Sequence, residues 1–239
     1  MTAPSDDRVR RGLGAQMAAR EVRLGGSDRH LGWKVGFGTP AALEKFGLSK
    51  PLVGHMFVSN QLPSGGTAKI RACTKPAAEP EVGVRIGARI RPTMTDEEVL
   101  GAVKAVFPAI ELADVFFPPE DVAAILESNI FHRHVITGPE APLGGLPPLA
   151  DLTGQLSRNG GAPAAVGGFE KNTGDIVSIL RFLAEDLETV GLSLDAGDIV
   201  ITGSVTPPVF LGDTDSQIAF EIDGIGSVSV NLDWSIAAR

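Results

Sequence analysis

Apolar and polar positions along this chain alternate over many short stretches and fall into a helical period over a few longer ones. In residues 31–37, Leu31, Trp33, Val35 and Phe37 take every second place, with Gly32, Lys34 and Gly36 between them, which is the period of a strand. Residues 79–90 repeat the pattern, with Val82, Val84, Ile86, Ala88 and Ile90 on one face and Glu79, Glu81, Gly83, Arg85, Gly87 and Arg89 on the other. Further strands are expected over residues 51–57, 68–73, 109–115, 131–137, 199–202, 217–222 and 227–232, and Asn159-Gly160 marks a hairpin. Helical spacing runs through Val9, Leu13 and Met17 within residues 6–22. It returns in Ile176, Val177, Leu180, Leu183 and Leu187 ahead of a stop at Gly191. Thr39-Pro40 opens a short helix that Gly47 closes, and Pro118-Pro119-Glu120-Asp121 starts another. Thr95 to Glu98 has capping-box spacing and leads Val99, Val103 and Val106 along one helical stripe as far as Pro108.

Strands outnumber helices and come in hairpin-like groups, without the regular alternation of a doubly wound sheet. The expected fold class is α+β, mostly β, a mixed sandwich or roll with flanking helices. Residues 1–30 are expected to form a helical N-terminal segment ahead of one large domain over residues 31–239. Hydrophobic residues make up 43% and charged residues 21%, ordinary for a globular chain, and no apolar run reaches the roughly 18 residues of a membrane span. The first seven residues lack the apolar core of a secretion signal, and a single cysteine, Cys73, excludes an intramolecular disulfide. Both point to the cytoplasm and away from a membrane. A formal net charge of -8 with no basic stripe disfavours nucleic acid as a partner.

Glu79 and Glu81 share one face of their strand. Two anions side by side repel unless a cation bridges them or water screens them, so they are either a ligand pair or a solvated strand face. Glu111 has Ala109 and Ala113 as same-face neighbours and, if buried there, needs a cation, a hydrogen-bond donor or water at an edge. Three glutamates on two strands would make a hard, oxygen-only site suited to Mg²⁺ or Mn²⁺, with positions left for water and a chelating substrate. Pro80 lacks a ladder donor and belongs at an edge, a strand start or a bulge. Lys34 is the only charge on a glycine-lined face. It suits binding of a substrate carboxylate, proton transfer or a Schiff base, or is a lysine snorkelling at a sheet edge. His132 and His134 have strand spacing, read either as a transition-metal pair or as polar positions on an exposed strand. Cys73 reads as a buried free thiol, Asp175 and Asp186 as exposed or capping charges, and the Gly203-Ser204 turn as a place where backbone N–H groups meet an anion. There is no phosphate loop or dinucleotide fingerprint.

Four stretches occur in a shared order: Trp33-Lys34-Val35-Gly36, Glu79-Pro80-Glu81-Val82-Gly83-Val84, Ala109-Ile110-Glu111-Leu112-Ala113-Asp114 and Ala196-Gly197-Asp198-Ile199-Val200-Ile201-Thr202-Gly203-Ser204. In this the chain resembles the fumarylacetoacetate hydrolase superfamily, within it the 2-keto-4-pentenoate hydratase and 4-oxalocrotonate decarboxylase branch, over roughly residues 31–232. The resemblance implies that superfamily's β-sandwich or roll. It also implies one divalent metal on Glu79, Glu81 and Glu111, an active-site lysine at Lys34, Asn129 orienting substrate or water, and Thr202 and Ser204 facing the substrate. Glutamate rather than aspartate as third ligand favours hydratase or decarboxylase over the hydrolase branches. Two positions depart from the pattern: Glu127-Ser128-Asn129-Ile130 stands where hydratases commonly have Ala-Asp-Asn-Ala, and Leu52 where an acidic residue often follows the proline. The implied activity is Mg²⁺-dependent hydration of a 2-hydroxy-2,4-dienoate to a 4-hydroxy-2-oxo acid, by a homo-oligomer acting on a small 2-oxo acid. The alternatives are a 2-oxo-3-enedioate decarboxylase, an acylpyruvate-type C–C hydrolase, or a non-catalytic binder of small acids.

Overall fold

The computed structural model describes residues 6–235, so residues 1–5 of the N-terminal segment and 236–239 of the domain expected over 31–239 lie outside the described residues. The first half of the chain runs α1 (Asp7–Leu24), β1 (His30–Gly36), α2 (Pro40–Phe46), β2 (Leu52–Phe57), β3 (Gln61–Pro63), β4 (Thr67–Lys69), β5 (Pro76–Ile86), α3 (Asp96–Ala102), β6 (Val103–Asp114), α4 (Val122–Glu127) and β7 (His132–Thr137). The second half adds β8 (Thr153–Arg158), β9 (Ala164–Gly167), α5 (Phe169–Thr173), α6 (Ile176–Thr189), β10 (Ile199–Ser204), β11 (Val209–Phe210), β12 (Gln217–Ile222) and β13 (Gly226–Asp233). Local chemistry sets many of these ends. Thr39 caps α2 through the Ala42 N–H, with Pro40 in its first turn and Gly47 after its last. Thr95 and Glu98 close a reciprocal capping box on α3, and Asp175 caps α6 through the Ser178 N–H.

The strands form two mixed sheets, one of eight strands in the order β2-β1-β10-β5-β6-β7-β3 with β11 also on β5, and one of five in the order β4-β13-β12-β8-β9. The sheets pack face to face where β6 meets β12 and β13, burying Val82, Val84, Ile110, Val200, Ile218, Phe220, Val228 and Val230 together with the apolar stripe of α6. The residues alternating with these in the larger sheet, Phe107, Ala109, Ile199 and Ile201, are equally buried, with Met56 and Val135. Strand β2 at one end of the larger sheet contacts β7 near the other, so the sheet curls into a roll around this second set. Phe107 fills the interior because Gly83 makes room: a Cβ there would lie 2.0 Å from the Phe107 ring.

The expected sandwich-or-roll fold is thus present, with several of its elements changed: the strand expected over residues 79–90, for one, starts at Pro76 and ends at Ile86. The stripe expected to carry a helix to Val106 ends at Ala102, and residues 103–114 form one long strand with Pro108 inside it. Pro108 lies opposite Val82, and its carbonyl accepts the Gly138 N–H at 2.8 Å, so the ladder at that point uses its acceptor. The strand at 68–73 shortens to Thr67–Lys69. Pro80 lies inside the sheet, where the register between β5 and β10 shifts between Ile201 and Ser204, and its carbonyl takes the Val205 N–H at 2.8 Å. Among the described residues no helix is long and apolar enough to cross a membrane.

Candidate metal centre and cavity

The face of β5 that carries Glu79 and Glu81 turns into the roll, and the β5–β6 register sets Glu79 directly opposite Glu111. One carboxylate oxygen from each of Glu79, Glu81 and Glu111 lies within 4.8 Å of the other two. Glu81 and Glu111 are buried at 0% and 1% exposure, and Glu79 is half-buried, so these side chains are not a solvated strand face. Glu81 Oε2 accepts the Gly203 N–H at 2.6 Å, so the strand-end turn does present an amide to an anion, the protein's own. Glu111 Oε1 accepts from Lys34 Nζ and lies 2.7 Å from His132 Nδ1. Lys34 is 2% exposed and its Nζ also donates to the Ile130 carbonyl at 3.1 Å. It has room because its partner across the β1–β2 ladder is Gly54, where a Cβ would come within 2.7 Å of Lys34 Cγ.

The electrostatics follow from this crowding. Burial, with the Glu111 carboxylate beside it, pushes the Glu79 carboxyl up to about 7 against the pull of Lys34. Burial raises Glu81 well above the carboxylate range, and Glu111 and Glu79 add to it. Burial acts the same way on Glu111, but Lys34 and His132 outweigh it and hold that carboxyl below its ordinary value. One lysine is thus shared among three acids, leaving Oε1 of Glu81 and Oε2 of Glu111 buried without a hydrogen-bond partner. A carboxylate cluster that still holds unpartnered buried oxygens is what a hard divalent cation requires, and the donor set fits Mg²⁺ or Mn²⁺.

The turn between α4 and β7 frames the other side. Asn129, Ile130 and Phe131 follow one another with φ of 54°, 52° and 62°, a left-handed run that costs each non-glycine residue about 1–2 kcal/mol. Asn129, expected from the resemblance to orient substrate or water, has its amide on the backbone of His55: Oδ1 accepts the His55 N–H and Nδ2 donates to the His55 carbonyl, both at 2.8 Å. Asn129 therefore clamps the turn to β2. The turn in turn delivers the Ile130 carbonyl to Lys34 and His132 to Glu111. The two histidines of β7 do not form a ligand pair. The β6–β7 register shifts between Leu112 and Ala113, leaving His132 on Glu111 while His134 Nδ1 lies 3.3 Å from the Asn60 carbonyl.

A cavity of about 480 Å³ opens above Lys34 and Glu79. Thr202, Gly203 and Ser204 line it with Asn172 and Thr173, Phe37, Ile130 and Phe131 face them, and Lys75 and Phe210 stand further out. The Thr202 hydroxyl donates to the Val82 carbonyl at 3.1 Å, whereas Ser204 Oγ is buried without a partner. Six of the seven residues named from the sequence, Lys34, Glu79, Glu81, Glu111, Thr202 and Ser204, thus come together at the cavity or directly beneath it, and Asn129 supports them from behind. Sequence reasoning missed the part played by His132, because strand spacing reports a shared face and not a register shift. It also missed Lys75 and Phe210, which only the pairing of β11 with β5 brings to one cavity.

Residues 45–232 match the model of the fumarylacetoacetate hydrolase C-terminal family. The chain is 27% identical over 213 residues to a 4-oxalocrotonate decarboxylase of Pseudomonas sp., covering 87% of this chain and 80% of that one. It is 24% identical over 219 residues to the 2-keto-4-pentenoate hydratase of Paraburkholderia xenovorans strain LB400, covering 90% and 79%. Its fold superposes on 4-oxalocrotonate decarboxylase from Pseudomonas putida G7, solved with magnesium and adipate, with a TM-score of 0.85 at 24% identity over 93% of this chain and 85% of that one.

Proposed function

The chain belongs to the fumarylacetoacetate hydrolase family, and from that premise we propose that it is a divalent-metal-dependent hydratase that adds water to a 2-hydroxy-2,4-dienoate to give a 4-hydroxy-2-oxo acid. The observation that carries this reading is the cluster of Glu79, Glu81 and Glu111 beneath a cavity, with one oxygen of Glu81 and one of Glu111 buried and unpartnered. Those three residues would hold Mg²⁺ or Mn²⁺. When bound, such an ion supplies Lewis acidity that stabilises the negative charge a 2-oxo acid develops as a neighbouring carbon gains or loses a proton. Lys34 fixes Glu111, balances charge at the cavity floor and is placed to pass a proton to or from the substrate. Ser204 Oγ is free to hydrogen-bond a substrate oxygen, while Phe37, Ile130 and Phe131 pack the hydrocarbon chain and exclude bulk water. Asn129 acts through the turn it clamps.

The relative named a 2-keto-4-pentenoate hydratase supports water addition. The relative named a 4-oxalocrotonate decarboxylase supports a second reading, loss of CO₂ from a 2-oxo-3-enedioate over the same carboxylates. Incubation of the Mg²⁺-loaded protein with 2-hydroxypenta-2,4-dienoate and with 2-oxohex-3-enedioate, followed by NMR, separates them. A 4-hydroxy-2-oxo acid from the dienoate is the expected product, and release of CO₂ from the enedioate marks the second reading. No turnover of either with Mg²⁺ or Mn²⁺ overturns both. Glu81→Gln is expected to weaken Mg²⁺ binding at least tenfold by calorimetry with an unchanged far-UV spectrum, and an unaltered affinity would sink the ligand assignment.

A further inference from the structure

The two buried carboxylates of the cluster each have one oxygen committed and one left over. Glu111 Oε1 takes both Lys34 Nζ and His132 Nδ1, the latter at 2.7 Å, while Oε2 is buried without a partner. Glu81 repeats the division, with Oε2 on the Gly203 N–H at 2.6 Å and Oε1 unpartnered. His132 reaches Glu111 only because the β6–β7 register shifts. With Glu111 opposite Val135 and Leu112 opposite His134, an unshifted ladder would set Arg133 across from Ala113 and turn residue 132 to the other face. The shift sets His132 opposite Ala113 instead, on the face of Glu111, with its side chain 2% exposed. A carboxylate only accepts, so the imidazole hydrogen lies on Nδ1, and Nε2 is a buried acceptor. Lys34 shares the same oxygen, but its ammonium rides on a flexible four-carbon stem and also serves the Ile130 carbonyl, whereas the imidazole is a rigid ring.

We propose that His132 is a positioning residue for the metal centre: by holding Glu111 Oε1 it leaves Oε2 alone for an ion, and so biases the centre toward Mg²⁺ over Ca²⁺. Mg²⁺ takes six oxygens at about 2.0–2.1 Å in a near-octahedral array, whereas Ca²⁺ takes about 6–8 at 2.3–2.6 Å and accepts both oxygens of one carboxylate. A glutamate pinned by one oxygen serves the first ion and withholds the second oxygen from the other. Freed of the imidazole, Glu111 can turn and offer both, which favours the larger ion. This assignment rests on the divalent-metal reading above and adds the residue that sets the choice among ions.

The test titrates MgCl₂ and CaCl₂ separately into the wild type and its variants by calorimetry, with no substrate present. His132→Leu should weaken Mg²⁺ about tenfold and Ca²⁺ by about twofold or less, moving the ratio of the two affinities about fivefold toward Ca²⁺. His132→Asn, whose amide nitrogen donates from the place of Nδ1, should keep the wild-type ratio. His132→Gln carries its donor one bond further out and should shift the ratio as His132→Leu does, which decides the matter where the leucine variant does not fold. A histidine that only supports the fold would weaken both ions alike. A ratio that stays at its wild-type value in His132→Leu and His132→Gln overturns the proposal, as does a shifted ratio in folded His132→Asn. In wild-type protein carrying ¹⁵N-histidine, the His132 signals, identified by their loss in His132→Asn, should report the Nδ1–H tautomer, and the Nε2–H tautomer would also overturn it. Failure of the parent reading looks different: if neither ion binds the wild type, the metal assignment falls as well, whereas binding of both with an unresponsive ratio removes only the role of His132.

Discussion

Lys34 shows how one side chain organises the centre. It is buried opposite Gly54, and its ammonium is committed to Glu111 and the Ile130 carbonyl. Period-2 spacing alone was enough to single it out, as it was for Glu79 and Glu81, because alternation reports which side chains share a face. It does not report what stands across from them, and so the Lys34–Glu111 pair was legible only as a need on each side: a buried acid wanting a cation, and a lysine on a glycine face wanting a partner. Lys34→Met removes the answer to both. Without metal, Glu111 keeps only His132, and the variant should lose about 3 kcal/mol of stability in urea. Added Mg²⁺ should recover part of that loss, since the carboxylates remain, while turnover falls at least a hundredfold. A variant that binds Mg²⁺ and turns over at the wild-type rate would reduce Lys34 to a structural residue.

At the scale of elements, the left-handed turn after α4 carries more of the site than any regular strand end. No propensity marks three successive non-glycine residues at positive φ, and Ile and Phe are poor occupants of that region. What holds them there is tertiary: the Asn129 amide on the backbone of His55, together with the Ser128 hydroxyl, whose oxygen lies 3.3 Å from the Phe131 nitrogen. The same limit explains why the helix expected to reach Val106 stops at Ala102. The β-branched residues there, Val103 and Val106, fit a helical stripe and a strand face equally well, and pairing with β5 decides. Asn129→Ala should cost about 2–3 kcal/mol, from an N–H and a carbonyl of β2 left buried and from a β-carbon residue held at positive φ without a polar side chain to support it. Because the turn feeds Lys34 and Glu111, kcat should fall in the folded variant with Mg²⁺ affinity less affected. A loss under 0.5 kcal/mol by denaturant titration would mean that the clamp does not hold the turn.

For the molecule as a whole, the class of fold was readable from strand count and hairpin grouping, whereas closure of the roll was not. Closure depends on which strands meet, and β1 pairs with both β2 and the distant β10, a choice that alternation leaves open. That closure also buries His55 to 5% exposure against Phe57. Burial first, then the nearby Arg20, pushes its imidazole from the ordinary 6.5 down to about 3. The folded state therefore holds His55 neutral, and the unfolded chain binds the extra proton between those two values. Stability from this group is complete above pH 6.5 and is lost as the pH falls toward 3, by roughly 2 kcal/mol at pH 5. Asp186, raised to about 6 by burial, and Glu79 at about 7 act in the opposite sense, since each binds its proton more tightly when folded. The wild-type profile alone is therefore ambiguous, and the difference from His55→Leu isolates the histidine. Unfolding free energies in urea should nearly coincide for the two proteins at pH 7.5 and separate by about 2 kcal/mol at pH 5 in favour of the variant. Parallel curves between those pH values would show that His55 takes up its proton without opening the roll.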